Sequence, residues 1–179
     1  MARTEAIRGY AEALFSVAEA EDALDVVEDE LFQFARALEG QRELREALTD
    51  PALPAERKRD VLADVLGDRV NPHTVNLLGF LVEQGRARDL PAIVDELVAM
   101  AAERRQAAVA EVRTAVPLDG EHRERLAEAL GRATGKKVEL KVVVDPSVVG
   151  GVVARVGDQV IDGTIRRRLE LARERMTGG

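Results

Sequence analysis

The sequence predicts an α+β fold, in which an N-terminal bundle of six helices precedes a small C-terminal α/β domain with a short mixed sheet. Two features of the chain support this prediction. From Thr4 to about Arg105 the apolar residues recur with helical spacing, whereas past Ala107 they alternate with the two-residue period of strands. We therefore expect two domains, a helical bundle at residues 1–106 and an α/β domain at residues 107–179.

Proline- and glycine-containing stretches divide the first half into separate helices. Breaks fall at "TDPALP" (Thr49–Pro54), "RVNP" (Arg69–Pro72) and "EQGRARDLP" (Glu83–Pro91). Proline removes a backbone donor and glycine tolerates non-helical angles, so both residues end helices. The intervening segments predict helices at 4–20, 23–39, 41–48, 54–67, 72–84 and 90–106.

The second half begins with two predicted strands that have a helix between them. The segments "AVAEVRTAV" (Ala108–Val116) and "KVELKVVV" (Lys137–Val144) alternate as half-buried strands do. The helix is expected to begin after Asp119, whose carboxylate can accept from free N–H groups of the first turn, and to end at Gly135. The order of strand, helix and strand makes this half α/β.

The glycines of the C-terminal stretch "DPSVVGGVVARVGDQVIDGT" are expected to shape the backbone. Gly150-Gly151 and Gly157-Asp158 predict turns on either side of the strand "GVVARV". A last helix follows, and Asp162 or Thr164 is its expected N-cap. The positions that we assign to this structural signature are Asp145, Pro146, Gly150, Gly151, Gly157, Asp162 and Gly163.

The same stretch does not match a phosphate-binding loop or a catalytic motif. Such a loop holds free amides at a helix N-terminus, usually within G-x-x-x-x-G-K-[ST] or G-x-G-x-x-G, and neither pattern occurs. The nearest segment, "GRATGKK" (Gly131–Lys137), has three residues between its glycines and no Ser or Thr after the first lysine. His73 and His122 lie in different predicted domains without metal-ligand spacing around either. We expect no catalytic residue, no metal and no cofactor.

Composition and charge argue against further classes of protein. The chain of 179 residues has no cysteine, so it has no disulfide, thiolate nucleophile or cysteine-ligated zinc. Residues 1–105 hold 13 basic and 22 acidic groups, a formal charge of −9, which disfavours binding to a nucleic-acid backbone. The basic run Arg166–Arg168 has no aromatic residue near it for base stacking. No apolar run approaches the ~18 to 20 residues that span a bilayer and no signal-peptide pattern is present, so we expect a soluble chain.

Two predicted helices carry more apolar surface than contact with one core requires. On the first helix the charged groups fall within a sector of roughly 60°, and the apolar residues spread over about 200°. On the fifth helix, "PHTVNLLGFLVEQG", the polar groups likewise fall within a narrow sector, and apolar residues occupy the rest. Either both helices are central in the bundle, or they form a groove that receives a partner's amphipathic helix.

Three segments carry a resemblance to a known family. They are "GYAEALFSVA" (Gly9–Ala18), "NLLGFLVEQGRARDLPAIVDEL" (Asn76–Leu97) and "DPSVVGGVVARVGDQVIDGTIRRRLELA" (Asp145–Ala172). In this order they resemble the delta subunit of bacterial F-type ATP synthases, which is similar to the mitochondrial oligomycin-sensitivity-conferring protein (OSCP). The C-terminal segment is the most specific, because its Asp-Pro, Gly-Gly, Gly-Asp and Asp-Gly pairs recur at fixed distances in that family.

The resemblance implies a non-catalytic stator subunit, present in one copy per complex at the cytoplasmic face of the bacterial cell membrane. The N-terminal bundle would bind the N-terminal helix of an alpha subunit, and the C-terminal domain would contact the C-terminus of the b subunit in the peripheral stalk. The resemblance also implies a groove between the first and fifth helices, formed by Tyr10, Ala13, Leu14, Val17, Leu77, Leu78 and Leu81. The alternative is a helical adaptor or RNA-binding module, which should show a basic stripe.

Overall fold

The computed structural model describes residues 2–164 and has an α+β architecture. The regular structure of the described residues consists of seven α-helices, one short 3₁₀ helix and a four-stranded mixed sheet. The chain divides into two compact units between Ala101 and Ala102. The predicted last helix and the basic run Arg166–Arg168 lie outside the described residues.

Six of the helices precede the first strand. Their bounds are α1 (Ala2–Ala20), α2 (Leu24–Gly40), α3 (Arg42–Thr49), α4 (Ala55–Leu66), α5 (Pro72–Glu83) and α6 (Leu90–Arg104), with the 3₁₀ helix at Gly67–Arg69. Each bound lies within two residues of the prediction from the sequence. The agreement arises because the breaks depend on local chemistry, chiefly proline, glycine and the capping residues.

The first unit is built around apolar side chains from all six helices. Helix α4 packs against α5, and α2 packs against α1, α3 and α5. The largest fully buried apolar side chains of this unit are Leu14, Leu31, Phe32, Leu38, Leu48, Leu62, Leu78, Leu81, Leu90, Ile93 and Leu97. Removing such side chains from water is the main favourable contribution to folding of this unit.

A polar link between α2 and α5 fixes where α5 begins. Asn71 caps α5 through its side-chain oxygen, which accepts from the backbone N–H of His73 at 2.9 Å, and Pro72 occupies the first turn, where no backbone donor is required. The Glu30 carboxylate on α2 accepts from the Asn71 N–H at 3.1 Å and from the Thr74 hydroxyl. Since Thr74 is fully buried, this acceptor prevents an unsatisfied hydroxyl in the core.

The second unit carries the sheet. Its strands are β1 (Ala108–Thr114), β2 (Val138–Val144), β3 (Val152–Val156) and β4 (Gln159–Asp162), in the spatial order β2-β1-β3-β4. Strand β1 is parallel to β2, with Val112 opposite Val142, and antiparallel to β3, with Val112 opposite Ala154. Strand β4 pairs antiparallel with β3. The sheet is therefore mixed, as the sequence predicted.

Helix α7 (Gly120–Thr134) connects the parallel strands β1 and β2 and covers one face of the sheet. Its Leu130 is buried against apolar side chains of three strands, namely Ala110, Val112, Val138, Val142, Ala154 and Val156. Asp119 caps the helix by accepting from the His122 N–H at 2.8 Å, and Gly135 ends it in the left-handed conformation at φ 69°. Both predicted ends of α7 are confirmed.

Candidate functional site

The predicted groove residues of α1 fall on two different faces of the helix. Leu14 is 1% exposed and packs into the core of the first unit. Ala13 and Val17 are exposed, and Tyr10 is half-buried. Because Tyr10, Ala13 and Val17 are spaced by three and four residues, they form one stripe along the solvent side of α1.

The predicted groove residues of α5 are buried. Leu77, Leu78 and Leu81 are 8%, 0% and 0% exposed, so they support the surface from within the core. Phe80 lies between them in sequence but is 41% exposed. Phe80 is not among the groove residues predicted for this helix. An aromatic residue in the narrow polar sector of α5 was the signal that could have identified it.

The two helices meet at the half-buried Tyr10 and the exposed Phe80. Their ring centroids lie 6.1 Å apart with the planes tilted by 52°, a favourable arrangement for two aromatic rings. Val17 continues the apolar face along α1 and is 45% exposed. We call Tyr10, Ala13, Val17 and Phe80 the α1/α5 surface.

Charged side chains lie beside the α5 part of the α1/α5 surface. Arg59 of α4 donates at 2.7 Å to Glu83, which follows Phe80 by three residues on α5. The guanidinium of Arg86 lies 5.2 Å from the centroid of the Tyr10 ring. An apolar stripe with a charged border has the composition of a protein-protein contact whose apolar core is small.

The signature residues of the second unit include a turn at Asp145 and a close backbone approach at Gly151. The Asp145 side chain accepts from the N–H of Ser147 at 2.9 Å and from its hydroxyl at 2.6 Å, which turns the chain through Pro146 after β2. Gly151 has φ 117°, and a Cβ there would lie 2.6 Å from the carbonyl oxygen of Gly163. No other residue type fits Gly151 without movement of the backbone.

The remaining signature positions hold the end of the described chain against β3. Gly150 has φ 54°, and Gly157 has φ 58° in the tight turn between β3 and β4. The Gly163 N–H donates to the Val152 carbonyl at 2.8 Å, and the Asp162 side chain accepts from the Thr164 N–H at 2.9 Å. That last bond has the geometry expected of an N-cap, and the predicted last helix lies outside the described residues.

A shallow groove of about 450 Å³ runs between α7 and β3 in the second unit. Leu118, Leu126, Ala129 and Val152 contribute apolar surface to it, and His122, Arg125, Glu128 and Arg132 contribute polar groups. The two arginines pair loosely with carboxylates of their own helix, at 3.8 and 3.9 Å. None of these residues was predicted from the sequence to form a groove, because the groove depends on how α7 lies on the sheet.

Two carboxyl groups of the second unit have a lowered pKa because they form a helix cap and a turn. The N–H and ring of His122 hydrogen-bond to Asp119 and lower the pKa of that carboxyl, and the hydroxyl and N–H of Ser147 lower the pKa of Asp145. Within residues 2–164 no group of three or more His, Asp or Glu side chains is arranged to hold a metal ion. In the same part of the chain, no helix is both long enough and apolar enough to cross a membrane.

Known proteins are similar to this chain over almost its whole length. The family model described as ATP synthase delta (OSCP) subunit matches residues 7–176. A protein named ATP synthase subunit delta from Desulforamulus reducens is 38% identical over 176 residues, which cover 98% of this chain and 97% of that protein. Proteins of the same name from Streptomyces griseus and Parafrankia sp. are 45% and 44% identical over 155 and 166 residues.

The coverage of these relatives differs. The chain spans 57% of the length of the Streptomyces griseus protein and 60% of the Parafrankia sp. protein. Among solved structures, the chain is similar to one in the cryo-EM structure of the Toxoplasma gondii mitochondrial ATP synthase hexamer, with a TM-score of 0.54 and 30% identity. That similarity covers 95% of this chain and 96% of the other.

Proposed function

The chain belongs to the ATP synthase delta (OSCP) subunit family, and on that premise we propose that it is a non-catalytic stator subunit of the F-type ATP synthase. It would link the catalytic alpha/beta head to the membrane-anchored b subunit, so that proton-driven rotation is coupled to ATP synthesis. The observation that carries the proposal is the α1/α5 surface, where Val17 and Phe80 are 45% and 41% exposed beside the half-buried Tyr10.

The α1/α5 surface is suited to the N-terminal helix of an alpha subunit. We infer that residues 1–106 form a six-helix bundle whose α1 and α5 receive that helix. An amphipathic helix docks by placing apolar residues, spaced by three and four, against such a stripe. Buried Leu14, Leu77, Leu78 and Leu81 support the exposed residues from below, so the surface is preformed and little ordering is required on binding.

The second unit, residues 107–179 by this proposal, would bind the end of the b subunit. The groove between α7 and β3 is suited to that contact, because apolar side chains line it and arginines lie beside it. Ala129→Asp should weaken binding of a peptide taken from the C-terminal end of the b protein. Ala133→Asp, one helical turn further along α7 and also exposed, should not. Equal effects of the two variants would contradict this placement.

A stator role requires contacts that last under mechanical load. The head is held against the torque of the rotor, so the contacts must be long-lived, which requires a slow dissociation rate. A preformed surface that bears large apolar side chains meets this requirement. By this proposal the protein is present in one copy per complex, acts without a cofactor and is peripheral at the cytoplasmic face of the membrane.

A calorimetric titration tests the proposal. The full chain is titrated with a synthetic peptide that corresponds to the N-terminal helix of the alpha subunit from the same organism. We expect one-to-one binding with a negative heat-capacity change, the signature of apolar burial. Absence of binding would contradict the assignment of the α1/α5 surface.

A further inference from the structure

A single carboxylate ties the beginning of α1 to the connection between α5 and α6. Asp89 directly precedes α6 and is 8% exposed. Its Oδ1 accepts from Nε and Nη2 of Arg3 at 2.9 and 2.6 Å, and its Oδ2 accepts from Nη1 of Arg86 at 3.3 Å. Charge-assisted hydrogen bonds of this kind are stronger than neutral ones, and partial burial limits their screening.

The C-terminal end of α5 determines where Arg86 lies. Gly85 adopts φ 68°, and its N–H donates to the Val82 carbonyl at 3.0 Å. The N–H of Arg86 donates to the Leu81 carbonyl at 2.8 Å. Together these two bonds form the Schellman arrangement, which closes the helix and fixes the direction of the chain that follows. Arg86 is therefore held at a defined place beside the end of α5.

From this place the Arg86 side chain reaches α1. Its guanidinium lies 5.2 Å from the centroid of the Tyr10 ring, within the range of a cation-π contact. Hydrogen bonding to the Tyr10 side chain, and secondly to Asp89, raises the pKa of Arg86 above its ordinary value. Tyr10 in turn contacts Phe80. An unbroken series of contacts thus runs from Asp89 through Arg86 and Tyr10 to Phe80.

Asp89 also acts on α1 at a second point. Arg3 and Tyr10 are seven residues apart, so they lie on the same face of the helix about two turns apart. The carboxylate holds Arg3 directly and Tyr10 through Arg86. Two attachments on one face restrict both the distance and the rotation of α1 relative to α5.

We propose that Asp89 is a positioning residue for partner binding, which holds α1 at the spacing from α5 that a docked helix requires. This proposal rests on the proposed function, because the docked helix is the one assigned to the α1/α5 surface. Asp89 itself does not contact that helix. It sets the fraction of molecules in the binding-competent arrangement, and the apparent dissociation constant rises as that fraction falls.

The test compares Asp89→Asn with Asp95→Asn in the full chain. Asp95 on α6 also accepts a hydrogen bond of 2.6 Å from an arginine, but this arginine is Arg36 of α2, so the bond joins α6 to α2. Tyr10 is the one tyrosine of the chain, so a protein labelled with ¹³C-tyrosine gives ring signals from this side chain alone. Peptide affinity, Tyr10 ring signals and thermal unfolding are measured for each variant.

We expect Asp89→Asn to shift the Tyr10 ring signals and to weaken binding of the alpha-subunit peptide about tenfold. A tenfold rise of the apparent dissociation constant corresponds to a variant in which about one molecule in ten has the binding-competent arrangement. Asp95→Asn should change neither. Unchanged affinity of folded Asp89→Asn, with or without a shift of the ring signals, would overturn the positioning role. If Asp89→Asn does not fold, Arg86→Met, at a half-exposed side chain, tests the same link by the same two measurements.

The two proposals fail in different ways. If the wild-type chain does not bind the peptide, the proposed function of the α1/α5 surface is wrong, and the positioning role is lost with it. If the wild-type chain binds and Asp89→Asn binds equally well, the positioning role alone is wrong.

Discussion

The rings of Tyr10 and Phe80 lie 6.1 Å apart and join α1 to α5 on the solvent-exposed side of both helices. An aromatic pair at this distance contributes about 0.5 to 1.5 kcal/mol beyond the burial of its area. The contact leaves Phe80 41% exposed, so a large part of the ring is still accessible to a partner. Apolar area that stays exposed in a folded protein is area that an assembly can bury.

The first prediction concerns Val17. Val17→Asp places a charge in the α1/α5 surface and should weaken binding of the alpha-subunit peptide by about 1 to 3 kcal/mol, roughly 5- to 150-fold. Val65→Asp on α4 is the matched control, because Val65 is 42% exposed and Val17 is 45% exposed. Calorimetric titration of both variants measures the difference. Equal losses of affinity would remove Val17 from the contact.

A charge at Leu78 should affect folding instead of binding alone. Leu78 is 0% exposed on α5, and an unpaired buried charge destabilises a protein by about 3 to 5 kcal/mol. We therefore expect Leu78→Asp to unfold the first unit at much lower urea concentrations than the wild type, as followed by circular dichroism. Asn76→Asp, at an exposed position two residues earlier, should leave the midpoint nearly unchanged. A native midpoint for Leu78→Asp would show that this side chain faces solvent.

Two glycines of the signature should differ in their tolerance of alanine. At Gly157 an added Cβ would have no other atom within 4 Å. Gly157→Ala should therefore lower the free energy of unfolding only through the strain of an alanine in a left-handed conformation, by about 1 to 2 kcal/mol. At Gly151 the Cβ would also lie 2.6 Å from the Gly163 oxygen and 2.9 Å from the Thr164 Cα. Gly151→Ala should therefore be the more destabilising variant in urea unfolding. The reverse order would mean that the chain near Gly163 moves freely.

The stability of the second unit should depend on pH through Asp119. The N–H of His122, followed by its ring, lowers the pKa of Asp119 in the folded chain, so the folded state binds this proton less readily than the unfolded state. The resulting stabilisation is fully present above the unfolded pKa and is lost as pH falls through the folded pKa. The urea midpoint of the wild type should exceed that of Asp119→Asn above about pH 5, and the difference should shrink on acidification.

Glu128→Gln is the control for that measurement, since Glu128 is an exposed carboxylate in the middle of α7. Its midpoint should differ from the wild type by much less at every pH. A difference between wild type and Asp119→Asn that does not change between neutral and acidic pH would contradict the capping role of the ionised carboxylate.

Local features of the sequence were sufficient to predict the seven α-helices and the strands β1, β2 and β3. The cap of α7 at Asp119, its end at Gly135 and the turn at Gly157 each depend on the chemistry of one or two residues. The change from helical to two-residue periodicity likewise predicted where helices give way to strands. These predictions agree with the structure because capping and turn formation involve neighbours only a few positions away in the chain.

The candidate surface was less predictable. The sequence indicates that α1 and α5 carry excess apolar area, but Leu78 is 0% exposed and Phe80 is 41% exposed, although both are apolar and two positions apart. Two positions correspond to about 200° around a helix, so periodicity shows only that they face opposite directions. The ion pairs of Asp89 with Arg3, 86 positions away in sequence, could not be inferred from any local pattern.

The sequence by itself therefore determined the family, the class of fold and, to within two residues, the bounds of the helices α1 to α7. Those properties follow from short-range chemistry and from the residues that the family shares. Only the tertiary structure determines which apolar residues of α1 and α5 are left exposed. It also brings Asp89, Arg86 and Tyr10 into contact with one another in series. Exposure depends on which distant elements cover a helix, and it is fixed only when α2 packs against α1 and α5, and α4 packs against α5.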